Sequence, residues 1–195
     1  MKEIPYPVLD SLLEMVNIGV GRSAGSLNTL TGQHVTLHVP SIRMSGIEEL
    51  KEEVPHPDEP FVVLNQDYSG AFDGTAVLMF PFASAESLFL LITGETGRTE
   101  ENYELWKMSL TETANILINS IMGSITNIIG KKIEFHLPQY HEDTLDHILG
   151  HIRFSSSDPV AAIHAVFEVK ERNISGEIVI LLTAQSVEAI ADLLP

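Results

Sequence analysis

Two long stretches of this chain repeat apolar residues at helical spacing, and each is followed by short runs of apolar residues that alternate or continue without a break. In the first stretch Leu9, Leu12, Leu13, Val16, Val20, Ser23, Ala24 and Leu27 fall on one stripe of a 3.6-residue period, which predicts a helix over about 8–31. Runs such as HVTLHV, bounded by glycine, proline or charge, predict strands at about 34–39, 60–67 and 74–80, followed by a short helix at about 84–93. The second series predicts a helix at about 102–129, strands at about 132–137, 160–170 and 176–183 (the last containing EIVILL), and a short helix at about 185–194. Gly32 and Gly130 stand where a left-handed residue would stop each long helix. Residues 49–60, charged and with three prolines, read as a connection. So do residues 139–151, which have room for a short helical turn.

The two series are copies. Residues 14–40 shifted by 98 positions fall on 112–138 without a gap. Glu14, Asn17, Ile18, Gly25, Ser26, Gly32, His38 and Pro40 then meet Glu112, Asn115, Ile116, Gly123, Ser124, Gly130, His136 and Pro138, eight identities in 27 positions. The likeness resumes with one change of register, GTAVLMFPFASAESL from Gly74 against GEIVILLTAQSVEAI from Gly176. The expected architecture is therefore α/β (α+β): one domain over 1–195, built from two like halves at about 8–94 and 102–195. Its long helices pack on a β-sheet, and the halves are related by a pseudo-two-fold axis.

Composition narrows the function. With 195 residues, 44% of them hydrophobic, the chain can bury a sizeable core, and the lack of cysteine excludes disulfides, thiolate metal sites and a cysteine nucleophile. The net charge of -16, from 27 acidic and 11 basic residues, repels phosphate backbones and anionic lipid, so neither nucleic acid nor membrane is an expected partner. The longest apolar stretches, around 76–85 and 116–129, are too short to span a bilayer. The opening MKEIPYPVLDSLLEM does not read as a secretory signal, and a cytoplasmic location is expected.

Residues 17–26, NIGVGRSAGS, contain a match to the G-x-S-x-G nucleophile elbow and a degenerate dinucleotide fingerprint. The repeat argues against both. The second copy has Leu117, Asn119 and Ile121 at the positions of Gly19, Gly21 and Ser23, and neither copy has a strand immediately upstream. These glycines then lie inside a helix at a cost of about 1 kcal/mol each relative to alanine, with close approach by another chain as the expected gain. What both copies keep is Glu-x-x-Asn: Glu14 with Asn17 and Glu112 with Asn115, neighbours on one helix face. Counted at 100° per residue from Leu9, the apolar stripe centres near 0° while Asp10, Glu14, Asn17 and Gly21 fall at about 80–140°, so the pair is expected to face water.

A carboxylate and an asparagine three residues apart, then 22 residues and a proline, with Asp or Ser four before the glutamate, resemble the signature of the CheC, CheX and FliY family of chemotaxis phosphatases. Asp10, Glu14, Asn17 and Pro40 fit the whole motif; Glu112, Asn115 and Pro138 fit the second copy, which has Met108 in the Asp/Ser place with Ser109 beside it. Two motifs without a FliN-type domain or docking extension resemble stand-alone CheC. The resemblance implies hydrolysis of the aspartyl phosphate of a phosphorylated CheY-type response regulator, and CheD as a further partner. Asn17 and Asn115 would orient the attacking water, which suits a neutral carboxamide that donates and accepts at once. Glu14 and Glu112 would pair with a lysine of the regulator. No cofactor of its own is implied, the Mg²⁺ belonging to the regulator. Pro40 and Pro138 are expected to end a strand rather than to act, and His38 and His136 to be strand residues with satisfied hydrogen bonds.

Two other readings remain open at this stage. His141, His147 and His151 with Glu142, Asp143 and Asp146 cluster in one connection, with His147 and His151 at the spacing of two metal ligands on a helix face, or as an ordinary solvated loop. Alternatively the two helices could form a non-catalytic binding module for CheD or a response regulator.

Overall fold

The apolar stripes of the two long helices face each other as well as a sheet. The computed structural model describes residues 6–45, 59–144, 147, 160–169 and 172–193. The helices are α1 (Tyr6–Thr31), α2 (Phe82–Thr93), α3 (Tyr103–Ile129) and α4 (Ala184–Leu193). The strands are β1 (Thr36–Ser45), β2 (Phe61–Gly70), β3 (Gly74–Pro81), β4 (Ile133–Phe135), β5 (Gln139–Asp143), β6 (Val160–Val169) and β7 (Ile174–Thr183). Gly32 (φ 65°) and Gly130 (φ 66°) adopt the left-handed conformation that stops each long helix.

The fold is α+β, with an antiparallel sheet in the order β1-β6-β7-β3-β2-β4 and β5 also paired to β2. Substituting each strand by its sequence repeat gives the same order read from the other end. The register agrees: at the centre Val77 pairs with Val179, its own repeat equivalent, and the flanking pairs Ala76–Ile180 and Leu78–Ile178 exchange with each other. On the two sides, Leu37 pairs with Phe167 as Phe135 pairs with Tyr68, and Thr36 with Glu168 as Glu134 with Ser69. A swap of outer strands between halves therefore ties each half's proline-bearing strand to the other half's hairpin.

Alternation decides what faces the helices. Val62, Leu64 and Tyr68 of β2, Ala76, Leu78 and Phe80 of β3, and Ile178, Ile180 and Leu182 of β7 join Leu12, Val16, Val20, Leu27, Trp106, Leu110, Leu117, Ile121 and Ile125 in one buried cluster. Full burial of each such side chain contributes about 1.5–3 kcal/mol. Gly74 and Gly176, equivalent in the repeat, let the aromatic rings of Tyr68 and Phe167 lie against bare backbone, and a Cβ on either glycine would come within 2.3 Å of those rings or of the neighbouring strand.

α1 and α3 cross antiparallel, with Gly19 beside Ile121 and Ser23 beside Leu117. Exchanging equivalents converts the first pair into the second, so the crossing obeys the same two-fold relation as the sheet. A Cβ on Gly19 would sit 2.6 Å from the Cα of Ile121. The gain expected from this glycine as approach by another chain is thus made by α3 of the same chain. The hydroxyl of Ser23, fully buried, donates within reach of Gly19 O at 3.0 Å and Leu117 O at 3.1 Å, bridging the helices.

The prolines correct one expectation. β1 does not end at residue 39 but runs through Pro40 to Ser45, because an extra residue is taken up in a bulge between His38 and Ser41. Around Pro138 the partner strand spans Asn65 to Tyr68 while its neighbours span Phe135 to Gln139, again one residue more, and the ladder resumes as β5. Residues 139–143 are therefore strand rather than connection. A residue without an N–H cannot join the ladder, but a bulge lets the strand pass it. Residues 49–58, and most of the second predicted connection beyond Asp143, lie outside the described residues.

Replacing Gly19 by alanine is expected to force α1 and α3 apart. The overpacking should cost about 1–3 kcal/mol, outweighing the gain in helix propensity, and lower the thermal midpoint by roughly 2–4 °C per kcal/mol for a chain of this size. Calorimetry of the variant beside Gly21→Ala, where a Cβ meets nothing within 4 Å, checks this.

Candidate functional site

The outer face of each long helix carries one Glu-x-x-Asn pair. In α1 Asp10, Glu14 and Gly21 are exposed while Asn17 is half-buried. In α3 Met108, Glu112 and Asn119 are exposed while Asn115 is half-buried. The carboxylates therefore face water as expected, and the asparagines do so only in part. The helical angle explains the difference, since Asn17 stands at about 80° from the apolar stripe, nearer to it than Glu14 at about 140°. The two pairs are related by the helix crossing and look outward from separate places; the structure does not bring them into one pocket.

Asn17 is distinctive in its hydrogen bonding. Its Oδ1 is buried and has no partner among the described residues. Buried polar atoms are almost always paired, and leaving one unpaired costs about 1–3 kcal/mol. Asn17 stands one helical turn from the exposed Glu14.

The first turns of α3, which lead to the second pair, are fixed from the sheet. Trp106, fully buried, donates from Nε1 to Tyr140 Oη at 2.5 Å, and Tyr140 in turn donates to Glu142. Burial, then the Glu142 carboxylate, raise the Tyr140 hydroxyl well above its usual pKa, so it stays protonated and keeps donating. Lys107 lies 5.9 Å from the Tyr140 ring, and Arg98 contacts Glu142 while its guanidinium stacks near Phe82 and Tyr103.

Among the exposed positions at which the second copy departs from the first, two lie one turn to either side of the Glu-x-x-Asn pair. Met108, 63% exposed, stands where Asp10 stands, and the neighbouring Ser109 does not replace it, because its hydroxyl donates to Leu105 O at 2.7 Å. Asn119 stands where Gly21 stands. This second difference is visible in the sequence, but its bearing on the asparagine one turn earlier needs the helix face to be known.

The remaining candidates fall elsewhere. Ser23, the nucleophile position of the apparent elbow, is sealed between the helices and cannot reach a substrate. Pro40 and Pro138 lie in the bulges of the edge strands rather than beside the pairs. His136 follows β4, donating from its N–H to Asp67 O at 2.9 Å, with its ring 3.2 Å from Ser69 Oγ. Of the histidine cluster, His141 is half-buried in β5, Glu142 is engaged by Tyr140 and Arg98, and His147 lies 3.0 Å from Asp143; Asp146 and His151 lie outside the described residues. Among the described residues no three His, Asp or Glu are placed to hold a metal ion, and no helix is long and apolar enough to cross a membrane.

No family model matches the chain. It is 26% identical over 132 residues to the flagellar motor switch phosphatase FliY of Bacillus subtilis (strain 168), a match covering 67% of this chain and 34% of that protein. It is 26% identical over 141 residues to the CheY-P phosphatase CheC of the same organism, covering 71% of this chain and 66% of that one. The chain thus spans about a third of the first relative and just under two thirds of the second. Among solved structures it is similar to Thermotoga maritima FliY, with a TM-score of 0.75 at 20% identity, covering 99% of this chain and 98% of that chain. It is also similar to the FliM middle domain of Vibrio alginolyticus, with a TM-score of 0.66 at 16% identity, covering 94% and 99%. The structural likenesses show the fold. The repeated Glu-x-x-Asn faces, the two-fold architecture and these matches together make the chain similar to CheC-like proteins in sequence and fold.

Proposed function

We propose that this chain is a phosphatase that hydrolyses the aspartyl phosphate of a CheY-type response regulator in chemotaxis signalling. The observation that carries the reading is the exposed Glu14 beside the half-buried Asn17 on the outer face of α1, repeated as Glu112 and Asn115 on α3. The Asn17 side chain, only half-buried, stands one turn from Glu14 on the face that a docking regulator would meet. The names of the two curated relatives, a flagellar motor switch phosphatase and a CheY-P phosphatase, support the same reading.

Phosphoryl transfer needs a nucleophile in line with phosphorus and charge stabilisation around it. A carboxamide titrates nowhere near neutral pH, so Asn17 and Asn115 act by geometry: each accepts from the attacking water and fixes its lone pair toward phosphorus. Glu14 and Glu112, exposed on the same faces, pair with a lysine of the regulator and set the angle at which the helix enters its site. The Mg²⁺ that neutralises phosphate charge is held by the regulator, and this chain supplies no metal ligand to the reaction. The overall charge of -16 favours a partner that presents lysine and disfavours nucleic acid. CheD is a second proposed protein partner. The rival reading, a binding module without catalysis, draws on the likeness to FliM and predicts regulator binding with unchanged phosphate lifetime.

Two measurements test the proposal. Decay of a phosphorylated CheY-type regulator, with Mg²⁺ present, should be faster with the wild-type chain than without it. Asn17→Ala and Asn115→Ala should each slow it, and the double variant should lose about 10²–10³ in rate, the usual cost of removing a positioned hydrogen-bonding group at a reacting centre. Wild-type decay with the double variant would sink the catalytic assignment. The second measurement concerns stability: Asn17→Ala removes an unpaired buried acceptor and improves helix propensity, so its thermal midpoint should stay level or rise by roughly 2–4 °C. A variant that is inactive and no less stable marks a residue kept for function.

A further inference from the structure

Gly19 and Gly21 both lie inside α1, where glycine destabilises a helix relative to alanine. For Gly19 the compensation is visible in its contact with Ile121, but for Gly21 no described residue provides one: it is exposed, its φ is not positive, and a Cβ there would meet no atom of the described residues within 4 Å. Gly21 lies one turn beyond Asn17 on the same outer face. Side chains on a helix lean toward its N-terminus, so each covers surface on the N-terminal side of its own Cα. A side chain at position 21 would therefore extend toward the backbone of Asn17, beside the path by which a partner reaches its carboxamide. With glycine there, the turn beyond Asn17 is bare backbone, and the next residue of the stripe, Gly25, is bare and exposed too.

On the outer face one turn past its asparagine, the second copy differs. Gly123 matches Gly25 and likewise has nothing within 4 Å of an added Cβ, but the position of Gly21 is taken by Asn119, an exposed side chain one turn beyond Asn115. We propose that the residue one turn past each asparagine, Gly21 in α1 and Asn119 in α3, sets how closely a response regulator can dock, making the Asn17 face the working site and the Asn115 face a weak one. This rests on the phosphatase reading above and says which of its two sites turns over. Gly21 and Asn119 are positioning residues: neither touches the reacting atoms, and each acts through the clearance it leaves beside the neighbouring asparagine.

The test isolates each face and then exchanges the residues. With a phosphorylated CheY-type regulator and Mg²⁺, Asn115→Ala should keep most of the wild-type rate and Asn17→Ala should lose most of it. In the Asn115→Ala background, Gly21→Asn should lower kcat/KM about ten-fold or more, since a displacement of about 1 Å at a reacting centre can cost 10²-fold. Gly21→Ala should fall between. Both should leave the thermal midpoint level or raised, because each replaces a helix-interior glycine, and a merely structural role would lower activity and stability together. In the Asn17→Ala background, Asn119→Gly should raise kcat/KM several-fold while lowering the midpoint. The inference is overturned if Gly21→Asn leaves kcat/KM within about two-fold, or if Met108→Asp rather than Asn119→Gly revives the second face. A wild-type chain that does not hasten decay at all would remove the underlying phosphatase reading as well, an outcome distinct from active wild type with indifferent Gly21 and Asn119 variants.

Discussion

Everything in this protein is arranged around the antiparallel contact of α1 with α3, in which Gly19 admits the backbone of Ile121 and Ser23 bonds across to Leu117. The contact works because the two copies of the repeat have diverged in opposite senses at the crossing: small residues in α1 meet Leu117 and Ile121 in α3. Two large residues at each place could not pack so closely, and two small ones would leave a void. Each helix is then rotated so that its apolar stripe meets both its partner and the sheet, which leaves one remaining face for water. The Glu-x-x-Asn pairs stand on that face.

The sheet repeats the logic. Because β1 pairs with β6, and β4 and β5 with β2, neither half can close its own edge, and the central β3–β7 ladder joins residues that are equivalents of each other. The bulges at Pro40 and Pro138 keep the register of these swapped edges while omitting one donor each. This gives the prolines at a fixed distance from the asparagines a structural role, distinct from the chemistry proposed for the helix faces.

Stability and function pull apart at the helix faces. The unpartnered Oδ1 of Asn17 and the uncompensated Gly21 each work against a stable helix, and both lie within one turn of each other on the outer surface of α1. Neither cost recurs in the same form in α3, where Asn119 replaces the glycine. Duplication thus produced two faces of one design, and substitution made them unequal.

The repeat, the periodicity and the Glu-x-x-Asn spacing were legible in the sequence because they depend on local pattern: a 3.6-residue stripe fixes which residues share a face, and an ungapped match over residues 14–40 fixes which residues are equivalent. The same pattern excluded Ser23 as a nucleophile. Other features depend on partners distant in the chain and could be decided only by the tertiary structure. Gly19 needed the position of Ile121, the passage of β1 through Pro40 needed β6 beside it, and the assignment of residues 139–143 to a strand needed the free edge of β2. The half-burial of Asn17 arose because its angle on the helix brings it near the apolar flank, and the depth of that flank is set by packing between elements, which no local pattern encodes.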